Sequence, residues 1–123
     1  MADNFGIRRV GRVYEGGKFY STPGGDVPAN AIYMPLPSSS AQFGVAEYPV
    51  ASGEKGAFAK VGTFAFPKPS GWTSTDGQTV YYKPSGQATG ELAAASATGA
   101  IPIGFEVKVD GIPGDQIWVD IDG

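Results

Sequence analysis

The chain has no histidine and no cysteine among its 123 residues. Without them the commonest acid-base and thiol chemistries are closed, and so are the usual nitrogen and sulfur ligands of zinc. No disulfide framework can staple the fold, so stability must come from packing or from oligomerisation. Basic charge is also scarce: nine Lys and Arg against twelve Asp and Glu give a formal charge of −3. A nucleic-acid binder concentrates cations to meet phosphates, and this balance argues against one. No apolar run is long enough to span a bilayer, and no charged-then-apolar segment follows Met1. A soluble chain that is not exported by a signal segment, with no membrane partner and no cofactor, is the expectation.

Glycine and proline are abundant, at nineteen and ten residues. That density suits many short strands and turns and leaves little room for long helices. At this length one core is expected, and the class is all-β: a small single-domain β-barrel or β-tulip of short strands with a flexible N-terminal arm. The arm is assigned to residues 1–11 and the β domain to 12–123. One device recurs, a glycine followed by β-forming residues, at Phe43-Gly44-Val45-Ala46, Val61-Gly62-Thr63-Phe64 and Ile103-Gly104-Phe105-Glu106-Val107.

Arg12 to Tyr20 predicts a hairpin around Glu15-Gly16-Gly17-Lys18, and Ala31 to Met34 a short strand ended by Pro35 and Pro37. Ser38 to Ser40 reads as a loop. Gln42 to Tyr48 and Ala57 to Phe66 read as strands, with Phe64 and Phe66 on one face assigned to the core. Gln78 to Tyr82 is another strand. Pro84 to Ala100 is rich in Gly, Ala, Ser and Thr, and reads either as a flexible loop or as two helical turns over Glu91 to Ala97. The clearest hairpin is the last. Phe105, Val107 and Val109 alternate with Glu106 and Lys108, then Ile117, Val119 and Ile121 alternate with Trp118, Asp120 and Asp122.

Chemistry-bearing candidates are few. Glu47 and Glu54 flank one loop, and Asp110, Asp115, Asp120 and Asp122 crowd the last hairpin. A glycosidase pair or a calcium site could use carboxylates, but aspartate beside glycine is turn chemistry and alternating aspartate is a solvent face. No catalytic, metal or cofactor residue is assigned, and the chain is not expected to be an enzyme. Trp72 and Trp118 are interface candidates, each balanced against an ordinary half-buried position. Asn4, Phe5, Ile7, Arg8, Arg9 and Arg12 form a mixed segment that is either a loose terminus or an arm ordering on a partner. A carbohydrate- or receptor-binding module stacking ligands on Trp72, Tyr81, Tyr82 and Trp118 is the alternative from another class.

Taken in order, Gly44-Val45-Ala46, Ala51-Ser52-Gly53-Glu54-Lys55-Gly56, Val61-Gly62-Thr63-Phe64 with Pro67-Lys68, Val80-Tyr81-Tyr82, Ile103-Gly104-Phe105 and Ile117-Trp118-Val119-Asp120-Ile121 resemble one family. It is that of the capsid cement, or head decoration, proteins of tailed bacteriophages. The N-terminal third departs from the family pattern, with more proline and a Gly-Gly-Asp-Val-Pro insertion. The resemblance implies a homotrimer on the outer capsid surface at three-fold positions, cementing the expanded head by clamping major capsid protein subunits. The implied location is the virion, after the host cytoplasm before assembly, and no reaction is implied. On that reading Asn4 to Arg12 orders on the capsid, Arg8 and Arg9 meeting acidic groups while Phe5 and Ile7 anchor.

Overall fold

A computed structural model describes residues 17–37 and 42–122. The arm, the first half of the expected Arg12–Tyr20 hairpin and the Ser38–Ser40 loop lie outside them. The described residues hold nine strands and no α-helix: β1 (Lys18–Ser21), β2 (Ile32–Tyr33), β3 (Gly44–Ala46), β4 (Gly56–Ala59), β5 (Val61–Pro67), β6 (Thr79–Pro84), β7 (Gly90–Ala93), β8 (Ile101–Val107) and β9 (Gln116–Asp122). They make a four-stranded sheet in the order β1-β4-β3-β2 and a five-stranded sheet in the order β5-β9-β8-β6-β7, with every pairing antiparallel. The two sheets curl into a half-barrel, as expected for an all-β chain of short strands.

The main core lies between the sheets. Ile32, Met34, Val45 and Ala59 from the smaller side meet Phe64, Phe66, Val80, Ile103, Ile117, Val119 and Ile121 from the larger. Period-two alternation produces this directly: Phe64 pairs with Val119 and Phe66 with Ile117, so both phenylalanines share the buried face. A second cluster covers the opposite face of the smaller sheet, where Tyr33, Ala46 and Phe58 pack beneath Val27 and Val50. The rings of Tyr33 and Phe58 stack at 4.2 Å between centroids.

The single strand expected over Ala57 to Phe66 is two strands, in different sheets. The chain turns at Lys60, whose N–H is taken by the Gly17 carbonyl, and at Gly62, whose φ of 140° favours glycine. Phe58 and Phe64 share a parity in sequence, yet the corner sends Phe58 to the second cluster and Phe64 to the main one. Lys18–Ser21, the second arm of the expected first hairpin, pairs with β4. Ala31 to Met34 contains its predicted strand as β2, and Gln42 to Tyr48 contains β3.

Pro84 to Ala100 is neither helical nor a plain loop. β7 occupies Gly90–Ala93 and forms a hairpin with β6, placing Leu92 opposite Tyr82 and against the main core. The turn between them reaches back to the other sheet. Met34 N–H donates to the Gln87 carbonyl at 2.7 Å, the Gln87 amide donates to the Pro35 carbonyl at 3.1 Å, and its side-chain oxygen accepts from Gly24 N–H at 3.0 Å. Gln87 thus stitches the end of β6 to two loops of the smaller sheet. Gln87→Ala keeps the backbone bond and loses the other two, so stability is expected to fall by about 1–2 kcal/mol. Urea unfolding should read this as a lower midpoint at unchanged slope.

Candidate functional site

The polar centre of the described molecule is Glu106, only 3% exposed. Alternation in the sequence predicts the opposite, since Glu106 lies between Phe105 and Val107. A bulge explains it: β8 pairs Val80 with Gly104 but Tyr81 with Pro102, leaving Ile103 as the extra residue. Ile103 and Glu106 both turn inward as a result, while Phe105 is 55% exposed. Proline inside a central strand is tolerated chiefly at bulges, so Pro102 is the one sequence signal that marks this break.

Three donors converge on one oxygen of Glu106. Gln78 Nε2 lies 2.7 Å from Oε1, Trp72 Nε1 3.1 Å and Thr75 N 3.2 Å. The backbone repeats the tie, with Gly77 N–H donating to the Glu106 carbonyl at 2.8 Å and Glu106 N–H to the Gln78 carbonyl at 2.9 Å. Lys108 N–H donates to Asp76 Oδ1 at 3.0 Å, fixing the far end of the same loop. The β5–β6 connection is therefore pinned along its length to β8. Burial pushes the Glu106 carboxyl up, but hydrogen bonds from Gln78, Thr75, Ser74 and Trp72 outweigh it and hold the group below its ordinary value.

Trp72 is half-buried against the main core with its indole N–H spent on Glu106. Trp118 lies on the outer face of the larger sheet, between Ala65 of β5 and Val107 of β8, and donates to Gln116 Oε1 at 3.3 Å. The fold does not bring the four rings of a stacking platform together. Tyr82 is buried in the core, where desolvation raises its phenol to about 12, while the adjacent Tyr81 faces outward. Asn4, Phe5, Ile7, Arg8, Arg9 and Arg12 lie outside the described residues.

The candidate carboxylates are also dispersed. Glu47 is buried and reaches Lys18 at 3.4 Å, whereas Glu54, Asp110, Asp115 and Asp120 are exposed. Among the described residues no group of acidic side chains is placed to hold a metal. Glu106 and Tyr82 are displaced away from neutrality in opposite directions, so neither is tuned for proton transfer near pH 7. One open cleft, of about 240 Å³, lies beside Glu106 between Lys68 at the end of β5 and Lys108 after β8, with Val109, Ile112 and Pro113 along it.

What this arrangement offers is a scaffold in which the buried carboxylate of Glu106 is spent on holding the Trp72 loop. No curated protein matches the chain. The family model for the phage cement proteins matches residues 15–121, which takes in all nine strands but for the last residue of β9. A structural part in the phage capsid follows from it, and this chain belongs to the phage cement protein family.

Proposed function

We propose that the protein assembles as a homotrimer, seats on the outer surface of the expanded capsid at three-fold positions, and stabilises the head by bridging major capsid protein subunits. The observation that carries the reading is the family match over nearly the whole chain. The physical logic supports it. A thin shell under internal pressure gains from added contact area, and many weak contacts repeated by symmetry sum to a large avidity. Such a part needs rigidity and surface, not chemistry, and the pinned loops of this fold supply rigidity.

The division of labour we infer is an arm over residues 1–11 and a β domain over 12–123. Asn4, Phe5, Ile7, Arg8, Arg9 and Arg12 grip the capsid, the arginines meeting acidic groups and the two apolar side chains anchoring between them. Trp118 and Trp72 serve contacts between subunits or with the shell. Of the two, Trp118 fits better, because its ring lies on an outer sheet face beside Ala65 and Val107. The chain resides in the host cytoplasm before assembly and on the virion afterwards.

The test is to mix purified protein with undecorated expanded heads and image them. Density at three-fold positions is the expected result, and bare heads would overturn the reading. Deleting residues 2–9 should abolish decoration while thermal unfolding of the free protein stays cooperative; full occupancy by the deletion variant would remove the arm from the grip. Nothing in the site favours the carbohydrate-binding alternative, since Tyr82 is buried and the Trp72 N–H is already bonded.

A further inference from the structure

We propose that the cleft between Lys68 and Lys108 is a second docking point, built to take an acidic side chain of the capsid protein. The inference rests on the capsid-binding reading above and names a place in the β domain, separate from the arm, where that contact is made.

Both cations are held by fixed backbone. Lys68 N–H donates to the Asp115 carbonyl at 2.9 Å, tying the end of β5 to the β8–β9 connection. Lys108 N–H donates to Asp76 Oδ1 at 3.0 Å, tying the end of β8 to the Trp72 loop. The stems therefore start from positions set by two mutually tied connections, β5–β6 and β8–β9, and both side chains line one cleft. Neither ammonium makes a salt bridge among the described residues. That is notable in an acid-rich chain. Asp110 and Asp115 are near in sequence and exposed, and Asp76 already accepts the Lys108 N–H.

The rest of the lining fixes the kind of occupant. Val109 is 50% exposed, and Ile112 and Pro113 extend its apolar edge. Glu106 also lines the cleft, its Oε1 held by three neutral donors that leave its charge in place, so the lining carries two cations against one anion and stays net positive. Two cations over a small concavity with an apolar shelf suit a carboxylate side chain followed by an apolar neighbour on a protein surface. A nucleic-acid strand suits it badly, because a run of phosphates needs many cations and the lining offers two on a chain of net charge −3.

The test is a charge swap, Lys68→Glu with Lys108→Glu, compared with Lys55→Glu with Lys83→Glu, which changes net charge equally at exposed lysines outside the cleft. Titrating each onto undecorated expanded heads, the cleft swap should raise the half-saturating concentration about tenfold or more while the control swap stays near wild type. The cleft swap should also flatten the salt dependence of binding. Equal loss in both variants would assign the effect to bulk charge and overturn the proposal. So would unchanged binding by the cleft swap, or a loss of self-association measured by sedimentation without heads, which would make a second copy the occupant. Wild-type protein that leaves heads bare would overturn the capsid reading itself and this docking point with it. Thermal unfolding of each variant confirms that binding is compared between folded proteins.

Discussion

Replacing Gly104 with alanine is expected to cost about 3 kcal/mol or more, enough to leave much of the protein unfolded at moderate temperature. A Cβ built at this position would sit 2.0 Å from the Asp120 carbonyl oxygen, 2.9 Å from its carbon and 3.1 Å from the Ile121 Cα. All three are backbone atoms, so no side chain can rotate out of the way. They belong to β9, which lies between β5 and β8, and whose Ile117, Val119 and Ile121 are at most 1% exposed. Moving β9 to admit a methyl group would open its ladder with β5 or unpack three buried side chains. Neither is cheap, which places this substitution at the severe end of overpacking effects. Gly114→Ala is the matched control, because nothing lies within 4 Å of its added Cβ, and it should change stability by less than about 0.5 kcal/mol. Urea midpoints of the two variants check the contrast; similar values would show that β8 and β9 separate more easily than their pairing indicates.

Gly104 also shows what the sequence made legible. A glycine leading a short run of β-formers was visible at three places, and all three runs became strands: β3, β5 and β8. The all-β class, the last hairpin and the burial of Phe64, Phe66, Ile117, Val119 and Ile121 were readable because period-two alternation survives where pairing is regular. Reading failed where one residue broke the period. At Ile103 the bulge inverted the faces of β8, so Phe105 went out and Glu106 went in. At Lys60 the chain changed sheets, and the shared parity of Phe58 and Phe64 lost its meaning. β7 was hidden for another reason: Gly90-Glu91-Leu92-Ala93 has weak strand propensity, and its pairing with β6 decides its state. Of the candidate contacts, Trp118 was correctly placed opposite the buried isoleucines and valine, whereas the Trp72 N–H bond to Glu106 had no local signal, the two residues being 34 apart.

Glu106→Gln is expected to destabilise the protein by about 1–2 kcal/mol at pH 7, and Glu106→Ala by about 3 kcal/mol. The glutamine keeps an acceptor oxygen for Gln78, Thr75 and Trp72 but loses the charge that strengthens those bonds. The alanine leaves three donors without their acceptor and a gap beneath the Trp72 loop. The pH dependence distinguishes an ionised acceptor from a merely well-packed side chain. Hydrogen bonding holds the folded-state carboxyl below its ordinary value of 4.5 despite the opposing effect of burial. A depressed folded value means that the unfolded chain takes up the proton first as pH falls. The stability due to the charge is thus fully present above about 4.5 and is lost as pH drops through the lower folded value. Glutamine does not titrate, so the gap between wild type and Glu106→Gln should be widest at neutral pH and narrow below that point. Comparing the two proteins cancels every other carboxylate. Urea unfolding at several pH values, followed by tryptophan emission, reads both the gap and the environment of Trp72, whose indole should become more solvated first in the alanine variant. A gap that stays constant down to strongly acidic pH would mean that Glu106 holds the loop as a neutral acid, and the charged node described above would have to be abandoned.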